Sequence, residues 1–234
     1  MLKIRSLPIH KYLVVDDIHK DQTKITAVGN SVDLVLSTSQ LHSFFLPRIR
    51  KSVYLPYAVL EEYISDINID PKNSILLSGR SINRLYPMRN KLKNFSKKYP
   101  ITDKTTLAPG KFGIEKSLYM TLLKEYLCVF TCCSTPPTTY IIKKVFEIPA
   151  SGALLFLHDE YVKDDIEKLH FEDGKNYIGC TEENMEEKII YILDPNNRTE
   201  IDRIRKNGHE MIKKYHTVNT RKKELYKLLN ITDT

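Results

Sequence analysis

Lys144 and Glu147 stand three residues apart in the run Lys143-Lys144-Val145-Phe146-Glu147-Ile148-Pro149-Ala150-Ser151-Gly152, so on a helix they share a face. A carboxylate and an ammonium presented together there could meet a polar ligand. The plainer alternative is a surface ion pair, which would stabilise little. Pro149, Ser151 and Gly152 crowd the end of that helix, where small residues let a ligand or a strand come close to the backbone. The apolar stretch Ala153–Leu157 follows at once and reads as a buried strand. In an open α/β sheet, such junctions present polar groups beside the carboxyl ends of strands.

Two other junctions carry suitable residue types. Ser78-Gly79-Arg80 follows the strand candidate Ser74–Leu77. The glycine permits close backbone approach, and the planar fork of Arg80 can clamp a phosphate, with Arg84 and Arg89 placed to assist. The same residues also read as a structural turn with a surface charge. Ser134-Thr135-Pro136-Pro137-Thr138-Thr139-Tyr140 precedes a helix expected over Ile141–Ala150. Hydroxyls and backbone N–H groups there would suit an anion, and N-capping by Thr138 or Thr139 explains the same residues equally well. Asp16-Asp17-Ile18-His19, after the first strand, has residue types for acid–base or metal chemistry, but adjacent Asp side chains diverge, which favours a turn and helix cap.

The elements that must position these residues alternate in α/β fashion. Strands are expected at Tyr12–Val15, Leu34–Ser37, Ser52–Leu55, Ser74–Leu77, Leu127–Thr131, Ala153–Leu157 and Asn176–Gly179. Helices are expected at Leu85–Lys98, Ile114–Tyr126 and Ile141–Ala150, then from Thr181 to Leu193, Arg198 to Tyr215 and Arg221 to Leu229. The polar stretch Ser65–Lys72 marks a boundary. It divides the chain into an N-terminal α/β segment (1–66), an α/β domain (67–195) and C-terminal helices packing back across it (196–234).

Composition narrows the class. The 234 residues are 41% hydrophobic and 28% charged, without a low-complexity tract. No apolar run approaches the roughly 20 residues of a membrane span, and Met1–His10 lacks a signal-peptide core, so a cytoplasmic protein is expected. Cys128, Cys132, Cys133 and Cys180 lack metal-ligand spacing and read as buried free thiols. The net charge of +7 suits a phosphate-bearing partner. The basic residues are interleaved with acids, which disfavours nucleic acid as that partner.

Four motifs in order carry a family resemblance. Lys144-Val-Phe-Glu147-Ile-Pro-Ala-Ser-Gly152 resembles the Arg/Lys-x-Phe-Glu-x-x-x-x-Gly element of the group 1 glycosyltransferases, particularly the branch related to spore maturation protein CgeB. Leu77-Ser-Gly-Arg80 through Tyr86-Pro-Met-Arg89 is similar to the first strand and loop of that family's donor domain. Phe171–Ile178 followed by Glu182–Leu193 resembles its glycine, strand and helix passage. His216-Thr217 with Arg221 resembles its terminal His-Thr-x-x-x-Arg helix. The similarity covers the C-terminal two-thirds of the chain.

The resemblance implies a Rossmann-like GT-B donor-binding domain with a shortened N-terminal α/β segment. It implies transfer of a hexosyl group from a nucleotide-diphosphate sugar to a glycan, protein or lipid acceptor, without metal or other cofactor. By position in the motifs, Glu147 would hold the donor ribose. Arg80 and Lys144 would neutralise the diphosphate, with Thr138, Thr139 and Tyr140 at a helix N-terminus beside them. Thr139 occupies the place where many retaining members carry a second glutamate. With about 65 residues ahead of the boundary, against ordinary domains of about 150, the alternatives are a shortened enzyme, a half that pairs with a partner chain supplying the acceptor side, or a degenerate descendant. The competing readings are a non-catalytic α/β partner subunit and, third, a basic nucleic-acid binder.

Overall fold

Apolar runs unbroken by polar residues become strands covered on both faces, as in parallel sheets. The computed structural model describes residues 9–16, 21–49, 51–79, 85–105, 115–137 and 139–230. The chain divides into two compact units, residues 1–57 with 221–234 and residues 58–220.

In the first unit, β1 (Tyr12–Val15), β2 (Leu34–Ser37) and β3 (Ser52–Tyr54) form a three-stranded parallel sheet in that order. Helix α1 (Gln22–Gly29) connects the first pair and the single turn α2 (His42–Phe45) the second. Val15, Val35, Leu46 and Ile49 form its small core.

The second unit is built on five parallel strands: β4 (Lys72–Ser78), β5 (Ile101–Lys104), β6 (Tyr126–Cys132), β7 (Leu154–His158) and β8 (Ile178–Cys180). Their order is β5-β4-β6-β7-β8. The chain steps outward from β4 to β5, then returns past β4 to β6. The strand order therefore reverses between β4 and β6, the switch point at which open α/β sheets form a crevice. Helices α3 (Pro87–Asn94) and α7 (Met185–Leu193) cover one face, where Leu92, Met185 and Ile189 meet Ile75, Phe130 and Phe156. Alternation sends Leu76, Val129 and Leu155 to the other face, toward α4 (Lys116–Lys124) and α5 (Lys144–Ala150), with the short α6 (Lys163–Glu167) after β7. Helix α8 (Arg198–Tyr215) packs on α5 and β7. Among the described residues, no helix is long and apolar enough to cross a membrane.

Several elements differ from the sequence expectation. Strand β5 was not expected. Ile101-Thr-Asp-Lys is polar and half-buried because it is the sheet edge, so it lacks the apolar run of an inner strand. Helix α5 starts at Lys144 rather than Ile141, since Ile141 and Ile142 are both buried in the segment leading into the helix. Strand β8 begins at Ile178 rather than Asn176. Asn176 is instead spent closing the preceding loop, donating to the His170 carbonyl (2.8 Å) and accepting from the Glu172 amide (2.8 Å). Helix α3 ends at Asn94 and gives way to a 3-10 turn, Phe95–Lys97.

The terminal His-Thr-x-x-x-Arg motif has clear local work. His216 stacks on Phe171 and meets the edge of Phe146, with Nε2 2.8 Å from the Leu169 carbonyl oxygen. The Thr217 hydroxyl accepts from the Thr220 amide at 3.1 Å, which starts α9 (Val218–Leu229) in the manner of an N-cap. Arg221 pairs with Glu224 and donates to the Tyr57 carbonyl at 3.4 Å.

Candidate functional site

The carboxyl end of β4 turns at Gly79, whose φ of +95° belongs to the region glycine adopts without strain. A Cβ at that position would lie 2.5 Å from Lys144 Nζ and 3.3 Å from an Arg89 terminal nitrogen. Two cations from two helices thus converge over one bare stretch of backbone at the switch point. Lys144 comes from the first residue of α5, and its ammonium donates to the Ser78 carbonyl (3.1 Å) and hydroxyl (3.2 Å). It also lies 5.1 Å from the ring centre of Tyr119 on α4. Arg89, in the first turn of α3, is buried, with its guanidinium 4.0 Å from the ring centre of Tyr86.

Glu147 sits one turn along α5 and is mostly enclosed. Its carboxylate accepts from Lys116 of α4. The partner of Glu147 is therefore Lys116, and not Lys144 as in the plainer alternative of a surface ion pair. The β5-to-β6 crossover lays α4 beside α5, a neighbourhood that spacing along the sequence does not encode. Lys116 also lies 5.4 Å from the ring centre of Tyr119, so one aromatic ring is shared by two cations.

Lys144 thus feels the charges of Arg89, Lys116 and Glu147 together. Burial, then the neighbouring Arg89 charge, lowers the Lys144 pKa to about 7, with Glu147 opposing the shift. The like charges of Arg89 and Lys144 oppose one another there. An anion placed over Gly79 would convert that repulsion into attraction, so the geometry favours a phosphate-bearing ligand.

The remaining expected residues fall into three groups. Arg80, Arg84 and Thr138 lie outside the described residues, as do Asp17, Ile18 and His19. Thr139 and Tyr140 are described, but they precede α5 by several residues and so do not form its N-terminus as expected. Thr139 is buried, and its hydroxyl has no hydrogen-bond partner among the described residues. Ser151 and Gly152 stand at the far end of α5, one helix length (about 10 Å) from Lys144, where the chain enters the amino end of β7. Ser151 Oγ donates to the Ile148 carbonyl at 2.7 Å. Gly152, at φ +81°, lies so close to Ile67 that a Cβ would sit 3.1 Å from its backbone, and its carbonyl accepts from Arg205 at 3.0 Å. The structure thus gathers Arg89, Lys144 and Glu147 in one place and sets Ser151 and Gly152 apart. Lys116 and Tyr119 were missed from sequence, although their three-residue spacing places them on one face of α4.

Asp16 accepts hydrogen bonds from the Thr38 and Tyr57 hydroxyls. Among the described residues, no group of three His, Cys, Asp or Glu side chains could hold a metal. All four cysteines are free and buried.

Comparison with known proteins completes the picture. A search of curated proteins finds no match. The chain is similar in fold to the pneumococcal O-GlcNAc transferase GtfA, solved with UDP and GlcNAc, at 13% identity and a TM-score of 0.55, covering 95% of this chain and 52% of that one. It is similar to Anabaena HepE, solved with UDP and glucose, at 12% identity and TM-score 0.63, covering 94% and 71%. For S. aureus TarM the values are 16%, 0.61, 99% and 52%. The chain thus spans about half the length of the pneumococcal and staphylococcal proteins. These likenesses establish a GT-B, Rossmann-like fold. Residues 111–227, which contain α4, β6, α5 and hence Lys116, Lys144 and Glu147, match the glycosyl transferase-like family, and the chain belongs to that family.

Proposed function

We propose that the chain binds a nucleotide-diphosphate sugar at the β4–β6 switch point and acts in hexosyl transfer to a glycan, protein or lipid acceptor. One observation carries the reading: Lys144 and Arg89 converge over the backbone of Gly79, with Glu147 one turn away on the same helix as Lys144. The two cations and Arg80, next in sequence to Gly79, take the diphosphate. Glu147, already holding Lys116, accepts hydrogen bonds from the ribose hydroxyls. Thr139 and Tyr140 line the approach to the donor, and Ser151 and Gly152 fix the far end of α5. Leaving-group departure is then assisted by fixed positive charge, so that the transfer needs no metal ion. The bound UDP in the GtfA and HepE structures supports a uridine donor.

Calorimetry with UDP-, GDP- and ADP-linked sugars tests the reading. It predicts saturable binding of at least one of them, and a folded chain that binds none contradicts it. The role of Glu147 has a sharper check. Glu147→Ala should weaken UDP binding by about 1–3 kcal/mol while leaving pyrophosphate, which has no ribose, bound at least as tightly. Equal losses for both ligands would make Glu147 a structural partner of Lys116 alone.

A second reading, a donor-binding subunit that pairs with another chain and has no turnover of its own, is favoured by Thr139, whose buried hydroxyl stands where many members of the family carry a glutamate. Hydrolysis or transfer of the bound donor by the isolated chain would rule it out.

A further inference from the structure

In the first unit, β1 stands at the end of the order β1-β2-β3, so among the described residues its backbone pairs on one side only, with β2. A row of N–H and C=O groups along a sheet edge is a template for another strand. The features that blunt such an edge are absent from this strand. Tyr12-Leu13-Val14-Val15 holds no proline and no charge, and it runs in unbroken register with β2, without a bulge.

The two faces of β1 differ. Leu13 and Val15 turn to the small core of the unit, with Val35, Leu46 and Ile49. Alternation sends His10, Tyr12, Val14 and Asp16 to the opposite face, and all four are exposed, Tyr12 at 41% and Val14 at 65%. Every residue of β2 is buried, so the exposed apolar surface is confined to the edge strand. An aromatic and a β-branched side chain there leave apolar area in water that a partner strand would cover.

This face is complementary to itself. A two-fold axis perpendicular to the sheet brings two β1 strands together antiparallel and keeps each face on its own side. With the axis on Leu13, Tyr12 of each copy lies opposite Val14 of the other, and His10 lies opposite Asp16. Aromatic and β-branched side chains make favourable cross-strand pairs. The imidazole can donate to the carboxylate, which accepts from the Thr38 and Tyr57 hydroxyls and has room for about four bonds. An axis on Val14 would set Tyr12 against Asp16, and one on Tyr12 would set His10 against Val14. Only the Leu13 register matches all four residues.

We propose that β1 pairs antiparallel with β1 of a second copy, with Leu13 on the two-fold axis, to make one continuous sheet. The proposal concerns the first unit alone and is independent of the donor reading. Two four-residue strands bury less than the roughly 1,200 Å² of stable interfaces, so the dimer is weak and depends on concentration.

Analytical ultracentrifugation of the full chain from roughly 1 μM to 1 mM should show a reversible monomer–dimer equilibrium. Val14→Lys, at an exposed side chain, sets two ammonium groups diagonally across the axis. It should weaken association about tenfold or more, while the dilute chain melts and binds UDP like the parent. The register is read by mixing Tyr12→Cys and Val14→Cys chains with oxidised glutathione, the native cysteines being buried. The mixture should yield disulfide-linked dimers carrying one copy of each variant. Either variant alone should link poorly, because like-numbered residues lie on the diagonal, about 7–8 Å apart. A chain that stays monomeric throughout overturns the proposal and leaves the edge to a strand of another protein. A dimer untouched by Val14→Lys, or linkage within one variant in preference to the mixture, overturns it as well. Should the parent dimerise in this way and bind no UDP, the donor reading fails and the edge pairing stands.

Discussion

Lys144 is held near its titration point by its surroundings, and this gives the site a pH signature. Its free pKa of about 7 reflects burial and the Arg89 charge. A bound diphosphate favours the protonated form, so binding raises that pKa and draws in a proton. Affinity is then level below the free value and declines as pH rises above it. UDP should bind progressively more weakly between about pH 7 and pH 9, with net proton uptake measurable by calorimetry in buffers of different ionisation enthalpy. Lys144→Met should bind weakly and with little slope in that window. An unaltered slope would mean that another group titrates. Gly79 offers a second residue-level test. Alanine there forces a side chain into φ +95° and brings its Cβ against the Lys144 ammonium. The strain should cost about 1–3 kcal/mol of stability, and the displaced ammonium should weaken UDP binding. A variant that melts and binds like the parent would remove the glycine from the account.

At the scale of elements, Gly208 of α8 shows how closely the helices must approach. A Cβ there would lie 2.5 Å from the Asn176 carbonyl oxygen and 3.3 Å from Pro149 of α5. Intrinsic propensity alone would make Gly208→Ala stabilising by about 1 kcal/mol. The backbone contact should win instead, lowering the melting temperature, and a raised melting temperature would contradict this packing. Legibility in the sequence followed similar lines. Helix α8 was read to the residue because its long polar sequence carries a regular apolar stripe, with Ile201, Ile204, Met211 and Ile212 buried. The inner strands β6 and β7 announced themselves by apolar runs. The edge strand β5 did not, and Ile141-Ile142 extended an apparent helical pattern although both residues are buried in the segment before the helix. Within the candidate site, Gly79 and Lys144 were legible because they follow β4 and begin α5, and Arg89 and Glu147 because they lie in the first turns of α3 and α5. Lys116 was not, because its pairing with Glu147 depends on a crossover spanning 31 residues.

Across the whole molecule, the parallel sheet explains why chemistry-bearing residues distant in sequence converge. Every strand of the second unit ends on the same side, so the residues after β4 and β6 share one crevice with the first turns of α3 and α5. In the proposed function it is Lys144 and Arg89, rather than the net charge of +7 on the chain, that take the diphosphate. The most direct test is to map UDP on the folded chain by amide chemical shifts. The account predicts saturable shifts centred on Ser78, Gly79, Arg89, Lys116, Lys144 and Glu147. Saturable shifts that leave these residues unmoved, or a folded chain that does not respond to UDP, GDP or ADP, would contradict it.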